Sequence, residues 1–280
     1  MKPIYSQINQ YLDYCEHARN MSPATMRAKR SIYHRFAEVI TCDNLKKLTN
    51  ADFDRWTRYG LSRGASPRSI NAYNANIMAM LNYYREMGMK IPLKSPLVHK
   101  LKEGGVRRSF YTRSQIREVL RYANPTTALM IKICFDSGMR IAELTNLKLA
   151  NIHENRINFV GKGNKPREVY LSDDTMRLLQ EYIKRHQIKN YLWPSPRNSG
   201  VERPLTVHAV RKRLRQPFYR AGYIDFYPHS LRHSFATDLE FRGASVAEIQ
   251  QMIGHFSIAT TERYVHALDG HLAELFTKYR

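Results

Sequence analysis

Residues 229–264 read HSLRHSFATDLEFRGASVAEIQQMIGHFSIATTERY and contain His229, Arg232, His255 and Tyr264. No acidic residue alternates with these four, so they suit neither a metal site nor a hydrolase triad. An arginine matches two phosphate oxygens bidentately, a histidine exchanges a proton near neutral pH, and a tyrosine hydroxyl can act as a nucleophile. The stretch therefore favours a site whose substrate is a phosphodiester.

Two further elements lie upstream of this stretch. Residues 136–144 read DSGMRIAEL and place Arg140 two residues after Gly138, the expected end of an apolar helix that covers 128–135. Residues 155–160, NRINFV, and 167–171, REVYL, alternate polar and apolar side chains as half-buried strands do. Between them, GKGNKP is typical of a turn. These segments predict a β-hairpin with Lys162 in its turn.

The three elements together resemble the tyrosine recombinases, the phage integrase family, and most closely its Xer-type members. SLRHSFAT at 230–237 and IGH at 253–255 read almost as the second conserved box of that family, and DSGMRIAEL looks like its first box. The family also has a lysine on a β-hairpin between the boxes. Phe256 is a mild departure, because the family more often has a small polar residue there.

The resemblance implies a catalytic set of Arg140, Lys162, His229, Arg232, His255 and Tyr264. In that set the two arginines and His255 hold the phosphate oxygens, Lys162 protonates the leaving 5′ oxygen, and His229 assists proton transfer. Tyr264 would become a 3′-phosphotyrosine. Because positive side chains supply the charge that a metal would otherwise provide, we expect no metal and no other cofactor.

Each of these residues also has a simpler interpretation. Arg140 could only pair with Glu143 at a helix start, and Lys165 is a rival for the role of the hairpin lysine. His229 and His233 stand four residues apart, as in a helical zinc pair, but no glutamate lies between them and no third ligand is evident. Tyr264 is one of 18 tyrosines, so its distance from His255 and the resemblance single it out.

The predicted fold is mainly α with a small β-hairpin or sheet. Residues 1–90 read as four helices, with Ser22-Pro23 and Ser66-Pro67 as helix starts, and resemble the SAM-like core-binding domain of the family. Residues 91–110 form a basic linker with two prolines and paired glycines. The catalytic domain covers 111–280, opens on a capping box at Thr112, and ends in a C-terminal exchange helix.

Candidates for DNA contact lie in four places: the helix after Ser22, the helix after Ser66, the basic linker and the helix after Thr206. The helix after Ser22 carries Arg27, Lys29, Arg30 and Arg35, and the helix after Thr206 is the candidate for entering the major groove. The DNA-binding candidates are Arg27, Arg30, Arg68, Asn71, Arg107, Arg108, Arg211, Lys212 and Arg215. Taken without the resemblance, such charges are more often a solvated face.

Composition agrees with a nucleic-acid partner and an intracellular setting. The formal net charge is +21, with 19 basic and 8 acidic residues in 1–110 and the remaining 26 and 16 in the rest of the chain, so both parts are basic. Three cysteines without a Cys-x-x-Cys pair favour a reducing compartment and no structural zinc. With neither a signal peptide nor a membrane-spanning run in the sequence, we expect a cytoplasmic protein.

The resemblance implies a site-specific DNA recombinase that cleaves and rejoins strands through a Holliday junction. A mobile-element integrase or resolvase of the same family is the alternative, followed by a type IB topoisomerase and a DNA-binding protein without catalysis. The expected partners are DNA with paired inverted half-sites and further copies of this chain, as a dimer on each site and a tetramer in the synapse. The C-terminal helix, with Leu272, Leu275, Phe276 and Tyr279 on one stripe, would join the copies. A partner recombinase or an accessory protein is a further candidate partner.

Overall fold

A computed structural model describes residues 2–93, 100–103, 110–154, 156–161, 166–196 and 201–253. The chain divides into two compact units, residues 1–105 and residues 106–280. The finer division into a domain at 1–90, a linker at 91–110 and a domain at 111–280 stays a prediction. Among the described residues, no helix combines the length and the apolar character that crossing a bilayer requires.

The described residues of the first unit form four α-helices, as the sequence predicts. They are α1 (Pro3–His17), α2 (Pro23–Val39), α3 (Asn50–Ser62) and α4 (Pro67–Glu86), with a short 3₁₀ turn at Leu45–Lys47 before α3. The predicted helix starts are confirmed: the side chains of Ser22 and Ser66 accept hydrogen bonds from the backbone N–H groups three residues on. These caps satisfy N–H groups that have no partner inside the helix.

Aromatic and aliphatic side chains fill the core of the first unit. Phe36 and Trp56 meet edge to face at 5.6 Å between ring centroids, and the Trp56 indole N–H donates to Oδ1 of Asn74 at 3.1 Å. Asp52 is buried as well, and it accepts bonds from the backbone and hydroxyl groups of Thr41 and Thr49. The buried polar groups of this unit therefore join one helix to its neighbours.

Lys29 lies in this core and not on the basic face of α2 that the sequence analysis assigned to it. It is 7% exposed, and its Nζ donates to Oη of Tyr33 and to Oδ1 of Asn76, at 3.1 Å each. Burial away from water lowers the pKa of this lysine, because the charged form loses hydration. The assignment was wrong because Lys29 continues the buried row formed by Met26 and Tyr33.

The second unit contains seven α-helices and three strands among the residues described for it. The helices are α5 (Arg113–Leu120), α6 (Pro125–Ser137), α7 (Ile141–Thr145), α8 (Asp173–His186), α9 (Val207–Arg220), α10 (His229–Phe241) and α11 (Val246–Ile253). The strands are β1 (Ile152–His153), β2 (Arg156–Val160) and β3 (Pro166–Tyr170), preceded by a 3₁₀ turn at Leu149–Asn151. The predicted capping box at Thr112 is present, and Thr206, which precedes the predicted basic helix, caps α9.

The sheet confirms the predicted hairpin strands. Its order is β1-β2-β3, both pairings are antiparallel, and β2 meets β3 with Ile157 opposite Val169 and Phe159 opposite Arg167. Ile157 and Val169 are buried, so this face of the hairpin packs on the protein. Since side chains alternate along a strand, Phe159 and Arg167 lie on that same face.

Helix α6 is the centre of the second unit and packs against α8, α9 and α10. Leu129, Met130, Ile131, Ile133 and Cys134 are all buried, which confirms the apolar helix predicted over 128–135. The helix ends at Gly138, whose φ of 59° is left-handed. This residue directs the chain into the segment that carries Arg140.

Candidate active site

Gly138 brings the first sequence motif against the second. A Cβ built on this glycine would lie 2.4 Å from Cδ1 of Phe235, a side chain of α10. The left-handed φ and this close approach both require glycine. The end of α6 is thereby held against the helix that begins with His229 and carries Arg232.

Arg232 is the most deeply buried charged side chain described in the second unit, with 1% of its surface exposed. Its Nη1 donates to the Gly138 carbonyl at 2.7 Å and its Nη2 donates to the Ile253 carbonyl at 2.6 Å. The Gly138 carbonyl stands at the C-terminus of α6, where the last carbonyls lack helical partners and the helix dipole favours a cation; Ile253 is the last described residue of α11. Hydrogen bonds of this kind offset the loss of hydration that burying a guanidinium entails.

Arg140 lies two residues beyond Gly138, at the N-cap of α7. Its backbone N–H donates to Oε2 of Glu143 at 2.7 Å, and its Nη1 donates to Oε1 of the same carboxylate at 2.8 Å. The simple ion pair considered from the sequence is therefore present. The side chain nevertheless keeps about a third of its surface exposed, at 32%, so this pairing leaves part of Arg140 open to solvent.

Arg167 on β3 completes a network that the sequence analysis did not assign. Its Nη1 lies 3.3 Å from Oε2 of Glu143, and its Nη2 donates to the Met252 carbonyl at 2.9 Å. The side chains of Arg167 and Glu143 are each 9% exposed. Burial lowers the pKa of the Arg167 guanidinium, Glu143 opposes that shift, and Arg140 adds to it. A signal was present, since Arg167 is a charged residue at an inward position of an alternating strand.

The two histidines of α10 lie side by side at its start. The rings of His229 and His233 are 5.0 Å apart between centroids and nearly perpendicular. His229 is exposed, whereas His233 is 4% exposed. Within the described ranges, no three His, Cys, Asp or Glu side chains are grouped as metal ligands would be. The exposed His229 is the one of the pair that a substrate can reach.

Several predicted residues lie outside the described part of the chain. They are Lys162 and its rival Lys165, His255, Tyr264, the linker residues Arg107 and Arg108, and the C-terminal helix with Leu272, Leu275, Phe276 and Tyr279. The described chain stops at Gly161 and resumes at Pro166 around one of these segments, and it stops at Ile253 before another. Arg167, and the Met252 and Ile253 carbonyls that Arg167 and Arg232 bind, therefore lie next to these two segments in sequence.

The predicted DNA-contact residues of the described ranges are surface residues, with one exception. Those with exposed side chains are Arg27, Arg30, Arg68, Arg211, Lys212 and Arg215; Arg30 is paired with Glu16. Asn71 is only partly exposed, and its side-chain amide is hydrogen-bonded to residues 101 and 103. It accepts from the Leu101 N–H and donates to the Leu101 carbonyl and to Oε1 of Glu103, each at 2.9 Å. These bonds give Asn71 a structural role beside the predicted one.

Comparison with known proteins places this arrangement in a family. Residues 109–271, more than half of the chain, match the model of the phage integrase family. The chain belongs to the phage integrase family. The recombinase is therefore an enzyme that cleaves and rejoins DNA strands, as the two motifs and the hairpin predict.

Relatives of the recombinase match it over nearly its whole length. A tyrosine recombinase of Thermosipho africanus is 27% identical over 285 residues, which cover 94% of this chain and 95% of that protein. Tyrosine recombinase XerC of Lactobacillus delbrueckii subsp. bulgaricus is 27% identical over 288 residues, with the same two coverages. The predicted likeness to Xer-type members is thus confirmed.

The fold of the recombinase is also shared with a solved structure. A lambda integrase dimer bound to a COC′ core site matches with a TM-score of 0.77 and 16% identity, covering 93% of this chain and 94% of that chain. At this identity the likeness shows the fold alone. It confirms a mainly helical recombinase fold with a small sheet.

Proposed function

We propose that the recombinase is site-specific and exchanges DNA strands through a 3′-phosphotyrosyl intermediate and a Holliday junction. The observation that carries the proposal is the contact between Arg232 and the chain segment that carries Arg140. Arg232 binds the Gly138 carbonyl, and Arg140 follows two residues later on the same segment. The Arg232 guanidinium thus binds the backbone turn from which Arg140 extends, which supports a phosphate site shared by the two arginines.

In the proposed cleavage step, the hydroxyl oxygen of Tyr264 attacks the phosphorus and loses its proton, with His229 assisting that transfer. The bond from phosphorus to the 5′ oxygen breaks, and Lys162 gives the leaving oxygen a proton. Charge builds on the non-bridging oxygens, where Arg140, Arg232 and His255 stabilise it; such preorganised charge is usually the largest catalytic contribution. The products are a 3′-phosphotyrosine and a 5′ hydroxyl.

Rejoining is the reverse reaction with a different strand. The 5′ hydroxyl of a partner strand attacks the phosphotyrosine and releases Tyr264, so the energy of the broken bond is kept and no ATP is consumed. Arg140, Arg232 and Lys162 supply the positive charge that a metal would otherwise provide, and the proposed step uses no metal. Single-strand exchanges in this manner lead to a Holliday junction.

The proposed assembly is the one that membership of this family leads us to expect. The first unit would act as the core-binding domain, with Arg27, Arg30 and Arg68 among the phosphate contacts, and α9 would present Arg211, Lys212 and Arg215 to the DNA. Two copies would bind paired inverted half-sites and four would form the synapse, joined by the C-terminal helix. We place the protein in the cytoplasm, where its DNA substrate would be.

The test is a denaturant-resistant protein–DNA adduct formed on a nicked half-site substrate. The parent should form the adduct and Tyr264→Phe should not, while both bind the substrate equally, because the change removes only the attacking oxygen. Tyr219→Phe is the matched control, since Tyr219 is an exposed tyrosine on α9, and it should form the adduct normally. An adduct on Tyr264→Phe would show that another residue is the nucleophile.

A chelator gives the companion test of the charge argument. Adduct formation by the parent should proceed unchanged in EDTA, because arginine and lysine side chains supply the positive charge. Activity that EDTA abolishes and a divalent ion restores would contradict the proposed mechanism.

A further inference from the structure

Arg167 links the segments that hold the two predicted phosphate-binding arginines. We propose, resting on the function proposed above, that Arg167 is a positioning residue that orients Arg140 for the transferred phosphate by acting through Glu143. It touches neither the predicted nucleophile nor the phosphate in this scheme. The argument uses Glu143, the end of α11, and the burial of Arg167.

Glu143 is shared between two guanidinium groups. One oxygen accepts from the Arg140 side chain, and the other accepts from the Arg140 backbone N–H and lies 3.3 Å from Nη1 of Arg167. A glutamate paired with Arg140 alone would cancel its charge. With Arg167 added, the three groups carry a net charge of one positive unit, so the clamp keeps the charge that a phosphate needs.

The end of α11 is held by the same network. Met252 and Ile253 are the last two residues of that helix, and their carbonyls accept from Arg167 and Arg232 respectively. Hydrogen bonds from a charged guanidinium are stronger than neutral ones, so these two arginines hold the described end of α11. Because Arg232 also binds Gly138, the contacts close a ring from α10 through α11, β3 and α7 back to the end of α6.

The burial of Arg167 argues against a role in stability alone. Its guanidinium carbon lies 5.5 Å from the ring centroid of Phe159, its cross-strand neighbour. Its Nε is buried and has no hydrogen-bond partner among the described residues. Taking a charge out of water is expensive, and a buried ion pair is often no more stabilising than an apolar pair. A charged side chain that is retained here despite that cost is consistent with a functional role in the site.

The experiment compares Arg167→Met with Arg156→Met. Arg156 is the matched control because it lies on β2, pairs with Glu168 at 3.6 Å, and is 48% exposed. Three quantities are measured: the single-turnover cleavage rate constant at saturating protein, the half-site Kd, and Tm. Arg167→Met should cleave about 10-fold to 100-fold more slowly with an unchanged half-site Kd, by analogy with the effect of removing the partners that orient metal ligands. Arg156→Met should match the parent in both the cleavage rate constant and the half-site Kd.

A double-mutant cycle separates positioning from a structural role. If Arg167 acts through Arg140, Arg167→Met should lower the cleavage rate constant much less in an Arg140→Lys background than in the parent, because the effects share one route. Equal losses in the two backgrounds would overturn the proposal. If Arg167→Met does not fold, Arg167→Lys takes its place in the cycle, since lysine keeps the charge but cannot reach Glu143 and Met252 as a fork does.

The outcomes also separate this inference from the function on which it rests. A parent protein that forms no adduct through Tyr264 contradicts the proposed function, and the inference falls with it. A parent that forms the adduct while a folded Arg167→Met protein cleaves at the parental rate overturns the inference alone.

Discussion

Both units of the recombinase are rich in basic residues, but they place their charges differently. In the first unit the described arginines proposed to meet DNA are exposed, and Lys29, the one buried cation among the residues described there, is held by the neutral groups of Tyr33 and Asn76. In the second unit, Arg232 is buried and the side chain of Arg167 is only 9% exposed, and both bind backbone carbonyls of α11 or of the end of α6. Beside them, Arg140 remains partly exposed.

This difference separates two tasks that basic residues perform. Exposed arginines on helix surfaces can follow a phosphate backbone, and each contributes a small, salt-dependent share of the affinity. Arginines fixed by buried contacts cannot change position to follow a substrate. They are already ordered, however, so they lose less conformational entropy when the substrate binds. The first unit therefore suits binding and the second suits chemistry.

Gly138→Ala should have the largest effect on stability. The new Cβ would meet Phe235 at 2.4 Å and the left-handed φ of 59° strains any other residue, which together should lower the free energy of unfolding of the second unit by about 3 kcal/mol. Gly222→Ala is the control, because Gly222 has a φ of +88° but open space around it, and it should lose only about 1 kcal/mol. Urea unfolding followed by the fluorescence of Trp193, in a Trp56→Phe background, measures both. Equal losses would show that the contact with Phe235 is unimportant.

Asp52→Asn should destabilise the first unit, by about 2 kcal/mol. The carboxylate accepts four hydrogen bonds from Thr41 and Thr49. In asparagine one of the two oxygens is replaced by an NH2 group, which cannot accept the bonds that this oxygen accepted. Asp54→Asn, an exposed change on the same helix, should be neutral. Unfolding followed by Trp56 fluorescence in a Trp193→Phe background gives the values, and a neutral Asp52→Asn would contradict this account of the first core.

The same aspartate predicts a dependence on pH. Burial alone would raise the pKa of Asp52, but the hydrogen bonds from Thr41 and Thr49 outweigh it and hold the pKa below the ordinary 3.8. A depressed folded-state pKa contributes stability above the unfolded value, and this stability is lost as the pH falls through the folded pKa. The difference between parent and Asp52→Asn should therefore be constant near neutral pH and shrink below pH 3.8.

Arg68→Ala should have the smallest effect, confined to binding. Removing one exposed arginine that meets a phosphate should lower the slope of log K against log salt by about 1. Arg58→Ala, at an exposed arginine of α3 outside the predicted contacts, should leave the slope unchanged. Half-site titrations at several salt concentrations test this, and equal slopes for parent and Arg68→Ala would remove Arg68 from the interface.

Local signals made much of this structure predictable. Helix caps at Ser22, Ser66 and Thr112, the stop at Gly138 and the alternating strands depend on neighbours within a few residues, and all are present. Lys29 was also predictable in principle, because it stands in the buried row of α2. Lys29 was interpreted as a surface residue because it is charged, although its spacing from Met26 and Tyr33 places it in the core.

Contacts between distant segments were not predictable. Arg167 meets Glu143 and Met252, which are 24 and 85 residues away, and Asn71 meets Leu101 and Glu103, 30 and 32 residues away. Only the folded chain brings such partners together. The motif identified Arg232, yet its burial against two helix ends depends on the packing of α6, α10 and α11, which spacing does not encode.

The most direct measurement compares Arg232→Lys with Arg211→Ala by single-turnover cleavage and half-site affinity. Lysine keeps the charge at 232 but cannot fork between the Gly138 and Ile253 carbonyls, so the cleavage rate constant should fall about 1,000-fold while the Kd changes little. Arg211 is exposed on α9, so Arg211→Ala should weaken binding, and its cleavage rate constant at saturating protein should fall far less than that of Arg232→Lys. If Arg232→Lys lost affinity in proportion to its cleavage, the buried arginines would serve binding, and the contrast between the two units would be contradicted.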